Sequence, residues 1–254
     1  MWIETSQDKR VLRLGLNRPE KRNALNLDLC RELVAALDTA DGDPRVGAVL
    51  LCGNGKSFCA GMDLTEAETA DPAALSQIHE QLFTVHERMT KPIVAAVNGA
   101  ALAGGTGLVA NAHIVVASEA ATFGLTEIRI GLWPFLIFRG VALAIGERRA
   151  VELALTGRIV GAREALEWGL VHQVVAHPET ENTAAEIAKQ LSQSSPVALR
   201  SGLAYVQEIR GKSGPEAGKI GRGIREQVLQ AGDFAEGLKA YHGKRAPIWP
   251  SLQE

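Results

Sequence analysis

The chain has 254 residues, 46% of them hydrophobic, enough to bury one sizeable core and leave room for a modest helical appendage. Its 27 basic and 29 acidic residues leave a formal charge of −2, with no Lys/Arg run able to hold a polyanion, so nucleic acid is not an expected partner. No apolar run approaches the ~20 residues of a membrane span, and Met1-Trp2-Ile3-Glu4 does not read as the start of a targeting segment.

Cys30, Cys52 and Cys59 are odd in number and lack a Cys-x-x-Cys spacing, so buried free thiols in a reducing, cytoplasmic setting are expected, without a metal site. Residues 11–16 alternate like a half-buried strand and stop at the turn signal Asn17-Arg18-Pro19. Asn26 is placed to cap a helix from 27 to about 40, with Leu29, Leu33, Ala36 and Leu37 on one face. Residues 46–51 form a buried strand that must turn at Cys52-Gly53-Asn54-Gly55. Asp71-Pro72 opens a long helix, and Pro92 leads into a strand over 93–97.

A short helix over 105–111, a strand over 113–117, helices over 134–145 and 147–155 and a strand over 171–176 follow. Beyond Pro178 only helices are expected, over 181–192, 196–209, 215–230 and 234–241. Strands alternating with helices, then helices alone, indicate an α/β core over 1–194 and a helical part over 195–254 suited to oligomerisation. His79-Glu80 and His86-Glu87 lack the i, i+4 spacing of a metal pair and read as a solvated helix face.

Two glycine-containing stretches follow strand-like runs: Ser57-Phe58-Cys59-Ala60-Gly61-Met62-Asp63-Leu64, and Val97 through Gly105. A glycine-rich turn that opens a helix leaves N–H groups unpaired at the positive end of the helix dipole, where a developing oxyanion is stabilised. Gly104 stands at such a turn, although Gly104, Gly105 and Gly107 could equally serve close helix–strand packing. Gly105-Thr106-Gly107-Leu108-Val109-Ala110 also matches a dinucleotide-binding pattern, but Glu119 follows too soon after it for that site. Glu127, in Phe123-Gly124-Leu125-Thr126-Glu127, lies among apolar residues where desolvation would raise its pKa toward that of a useful base. An exposed glutamate paired with Arg129 fits the same local sequence.

Six ordered motifs make the chain resemble the enoyl-CoA hydratase/isomerase (crotonase) superfamily over nearly its whole length. They are Asn17-Arg18-Pro19 with Asn23-Ala24-Leu25; Ser57 through Leu64; Lys91 through Gly99; Phe123 through Glu127 with Gly131; Leu155-Thr156-Gly157-Arg158 through Leu170-Val171; and Lys244-Arg245-Ala246-Pro247. The resemblance implies an α/β spiral of strand-strand-helix units with a helical C-terminal trimerisation domain, assembled as a homotrimer or homohexamer. It implies an acyl-CoA thioester substrate and no separate cofactor, CoA being part of the substrate.

By position, the resemblance assigns the oxyanion N–H groups to Met62 and Gly104 and the catalytic carboxylate to Glu127. CoA would run along residues 21–25, including Lys21, Arg22 and Ala24, and along Ala60, Gly61, Asp63 and Leu64, with Lys244 of a neighbouring copy near its adenosine end. Trp133, Phe135 and Phe138 would shape the acyl pocket or pack the core.

Hydratases of the family are similar to one another in using two glutamates, and the first position here is Gly107. The chain looks closer to the mitochondrial-type Δ3,Δ2-enoyl-CoA isomerases, which likewise keep one glutamate and a following Pro-Phe pair, here Pro134-Phe135. Isomerisation with Glu127 as single base is therefore the favoured expectation. One-carboxylate hydration and a non-catalytic acyl-CoA scaffold are the alternatives.

Overall fold

The computed structural model describes residues 1–252. The chain opens with a hairpin, β1 (Ile3–Asp8) and β2 (Val11–Leu16), that sequence reading missed in part because only its second strand alternates clearly. Helix α1 (Leu27–Gly42) begins where Asn26 accepts the Leu29 N–H at 3.0 Å and buries Leu29, Leu33 and Leu37 along one stripe. Strand β3 (Ala48–Gly53) follows, then the short α2 (Leu64–Ala67) and α3 (Pro72–Thr84), whose start is fixed by the Asp71 cap and Pro72.

From here the chain builds in pairs of strands. Strand β4 (Ile93–Val97) is followed at once by β5 (Ala100–Leu102) and α4 (Gly104–Asn111), and β6 (Ile114–Ser118) by β7 (Thr122–Gly124). Helices α5 (Phe135–Ile145) and α6 (Glu147–Thr156), strand β8 (Val160–Gly161), α7 (Ala162–Trp168) and β9 (Gln173–Val175) complete this part. The first member of each pair enters a six-stranded sheet ordered β1-β2-β3-β4-β6-β9, and the second a three-stranded sheet ordered β5-β7-β8. In the large sheet β1 is antiparallel to β2 and every other pairing is parallel.

Parallel strands covered on both faces need apolar residues at every position, and β3 and β4 are buried throughout. Val49 and Leu51 face the main core, together with Leu29, Leu33 and Phe58, while Ala48, Leu50 and Cys52 face the other way. That second face is closed by α8 (Thr180–Ser192), which lays Ala184 and Ala188 on it. Gly47 lets the end of α8 approach: a Cβ there would stand 2.9 Å from the Ser192 carbonyl oxygen. Burial pushes the Cys52 and Cys59 thiols up to about 12, so both are packing groups rather than nucleophiles.

Helices α9 (Pro196–Glu208), α10 (Gly214–Gln230) and α11 (Gly232–His242) follow. They pack on one another, and neither α9 nor α10 buries a residue fully within the chain. The buried Asp233 carboxylate, accepting from the Ser195 and Ser251 hydroxyls at 2.6 and 2.8 Å, ties the start of α9 to the C-terminal turn. No helix among the described residues is long and apolar enough to cross a membrane.

Candidate active site

Two loops meet over the main core. The first, 57–63, is bound to the chain after the turn 17–19 by paired backbone bonds, Leu25 N–H to Gly61 O at 2.7 Å and Asp63 N–H to Leu25 O at 3.0 Å. These bonds skip Met62, whose N–H is left without a backbone acceptor among the described residues. Asn23 secures the loop from beneath. It is fully buried with φ +55, a conformation asparagine tolerates, and its amide donates to the carbonyls of Asn54, Ser57 and Phe58.

Arg18 is the second anchor. Its guanidinium pairs with Asp63 at 2.9 Å with both side chains about nine-tenths buried, donates to Ala24 O at 2.7 Å, and lies 5.2 Å from the Trp2 ring centre. Burial alone would push the Asp63 carboxyl up, but the Arg18 hydrogen bond and the N–H groups of Thr65 and Glu66 hold it below the usual range. Asp63 is thus committed to Arg18 and to capping α2.

The second loop enters α4 at Gly104, whose N–H, as the first of the helix, has no intrahelical acceptor. Ala103 just before it holds φ 50 and ψ −120, a region costly for a residue with a Cβ, at roughly 1–3 kcal/mol. The loops touch: a Cβ on Gly61 would lie 2.8 Å from that of Ala103 and 3.3 Å from Gly104 N. The two free N–H groups, Met62 and Gly104, are therefore carried by adjoining segments.

Glu127 is joined to this pair through Thr106 and β7. The Thr106 hydroxyl bridges the Ala101 and Gly124 carbonyls and accepts the Gly124 N–H, while Ala103 N–H donates to Gly124 O at 2.8 Å. Three residues on, the 3-10 turn Glu127–Ile130 presents Glu127, which is 8% exposed and makes no ion pair with Arg129. Its Oε2 has no hydrogen-bond partner among the described residues, and burial pushes the carboxyl up to about 7.

Glu127, Met62 and Gly104 line one cavity of about 520 Å³, with Leu25, Ala60, Leu64, Phe83, Trp133 and Phe135 also in its wall. Trp133 is half-buried and packs on Phe138 at 5.7 Å, whereas Phe135 is exposed at the rim. Gly61 and Asp63 sit behind the wall as loop supports. Lys21 and Arg22 are exposed on the turn leading to Leu25, Ala24 is half-buried beside them, and Lys244 is exposed beyond α11, outside this cavity wall.

Among the described residues, Glu127 is the single acid of the wall. At Gly107, where a second carboxylate would project, an added Cβ would come within 2.8 Å of Ile137 Cβ and 3.2 Å of Phe83. The space is occupied by α5 and α3.

One expectation is corrected here. His79 is not on a solvated helix face: it is 7% exposed and lines the cavity, because α3 turns Ile78, His79, Leu82 and Phe83 inward together while Glu80 stays outside. The apolar neighbours at 78, 82 and 83 carried that signal. His86 is likewise half-buried, drawn in beside the buried Val85.

The enoyl-CoA hydratase/isomerase family model matches residues 6–252. The chain belongs to that family, and it is an acyl-CoA enzyme. Among family members it is 37% identical to the mevalonyl-coenzyme A hydratase sidH of Aspergillus fumigatus, over 94% of this chain and 91% of the relative. It is 35% identical to the 2,3-dehydroadipyl-CoA hydratase of Escherichia coli, over 95% and 96%. An enoyl-CoA hydratase crystal structure from Bacillus anthracis superposes with a TM-score of 0.94 at 31% identity, covering 99% of this chain and all of that one. The fold of this enzyme is accordingly the crotonase one.

Proposed function

We propose that the enzyme moves the double bond of a 3-enoyl-CoA to the 2-position, with Glu127 as its only base. The observation that carries this reading is the pairing of one desolvated carboxylate, whose Oε2 has no hydrogen-bond partner among the described residues, with a filled space at Gly107. The ionised Glu127 takes a proton from C2. The electrons move onto the thioester oxygen, which the Met62 and Gly104 N–H groups stabilise as a dienolate. Glu127 then returns the proton to C4, leaving the double bond between C2 and C3, and neither water nor a second acid is required. The CoA moiety follows residues 21–25 and the Ala60–Leu64 loop, outward from Leu25 in the cavity wall.

Hydration is the second reading, supported by the names of the relatives, which are hydratases. A parallel assay on matched 3-enoyl and 2-enoyl thioesters separates the two. Isomerisation with negligible hydration is expected; efficient hydration of the 2-enoyl thioester would sink the single-base reading.

The helical part 195–254 is proposed to join copies of the chain. Val206, Phe234, Leu238 and Tyr241 are exposed on it, and its first two helices have no fully buried residue of their own. Light scattering should return the mass of three or six chains. A monomer at micromolar concentration would remove this role.

A further inference from the structure

Five buried side-chain polar atoms lack a hydrogen-bond partner among the described residues, and two of them belong to side chains lining the same cavity. One is Glu127 Oε2, which the reaction uses. The other is His79 Nε2, which it does not. Buried polar atoms without partners are rare in folded proteins and costly, each about 1–3 kcal/mol, so the second one in this cavity calls for a ligand group as its partner.

The site around His79 restricts what that group can be. The ring packs against Phe83, one helical turn along α3, with centroids 6.1 Å apart, and Phe83 in turn abuts the Gly104 position. The other side chains around it in the wall are largely apolar, among them Leu25 and Leu75, while the Leu25 backbone carbonyl faces the ring. Among the described residues no Lys or Arg lines the cavity, while Glu127 does, so a second carboxylate would enter without a counter-ion and against a like charge. Burial holds the imidazole pKa below its usual value, so the ring is neutral at pH 7 and offers one donor and one acceptor. An alcohol meets either tautomer, since it both donates and accepts. An all-hydrocarbon acyl chain meets neither.

We infer that His79 is a specificity residue, and that the preferred substrate is an acyl-CoA thioester whose chain carries a neutral hydroxyl beyond the reacting carbons. The inference rests on the acyl-thioester reading of the cavity but not on which reaction follows.

Binding of saturated thioesters tests it without any turnover. Hexanoyl-CoA is compared with 5-hydroxyhexanoyl-CoA and 6-hydroxyhexanoyl-CoA by calorimetry on the full-length enzyme and on His79→Leu, His79→Phe and His79→Gln. At least one hydroxylated thioester should bind the wild type about 10-fold tighter than hexanoyl-CoA, the effect of one satisfied buried hydrogen bond. That ratio should fall to near one in the Leu and Phe variants and persist in part in Gln, whose amide keeps both a donor and an acceptor. The Phe variant carries the comparison should Leu fail to fold. Hexanoyl-CoA binding as tightly as both alcohols on the wild type, or a hydroxyl preference surviving Leu or Phe, overturns this inference alone. If no thioester binds at all, hexanoyl-CoA included, the acyl-thioester reading falls and takes the inference with it.

Discussion

Glu127→Gln is expected to lose about 10²–10⁴-fold in turnover, the usual contribution of a positioned general base, and to gain stability at alkaline pH. Both effects follow from one fact, the desolvation that raises its pKa to about 7. In the unfolded chain the carboxyl titrates at its ordinary value of 4.5, so below that pH both states hold the proton and Glu127 has no linked effect on stability. As pH rises from there to about 7, the unfolded chain releases the proton while the folded one keeps it, and stability falls. Above 7 the loss is complete, at about 3 kcal/mol as an upper bound.

Glutamine carries no such penalty, so the variant should resist denaturant better than the wild type at pH 8 and equally well near pH 4. The same titration predicts that wild-type kcat/KM rises with pH through about 7, as the carboxylate forms. A stability gap independent of pH, or turnover within a factor of about ten of the wild type, would mean Glu127 is not the desolvated base.

How far the sequence reveals this arrangement depends on the range over which each signal acts. Long helices such as 27–42 and the buried strands 48–53 and 93–97 declare themselves through local periodicity, caps and proline, and they lie close to their expected places. The short strands 100–102, 122–124 and 160–161 carry too few residues for any period, and exist because their partners across the chain supply the hydrogen bonds. The site divides in the same way. The motifs single out Met62, Gly104 and Glu127, and the fold brings these three to one cavity wall. The inward turn of His79 is signalled only by its apolar neighbours at 78, 82 and 83, whereas that Ile137 occupies the space beside Gly107 is a consequence of α5 packing on α4, which no local pattern encodes. The Arg18–Asp63 pair, 45 residues apart, is of that kind too.

The second large effect is expected at Gly105→Ala, a single methyl group placed behind the proposed oxyanion site. A Cβ there would stand 3.0 Å from the Cys59 carbonyl carbon and closer still to its oxygen. That carbonyl already accepts the Leu102 N–H at 2.9 Å, so it is held in place and cannot turn aside. The clash is with backbone, and relief must come from the 57–63 loop and α4 moving apart. Separation costs twice. Overpacking of this kind destabilises by about 1–3 kcal/mol or more. It also moves the Met62 N–H relative to the Gly104 N–H, and losing one oxyanion donor costs about 10²–10³ in rate.

Gly42→Ala, at the end of α1 with open space around it, provides the control and should change neither quantity appreciably. The informative comparison is kcat on enzyme verified as folded by circular dichroism. A folded Gly105→Ala protein with lowered kcat and an unaltered pH midpoint near 7 would place the defect in the oxyanion donors and leave Glu127 untouched. Full activity in the folded variant would mean that the contact between the two loops does not set the spacing of those donors.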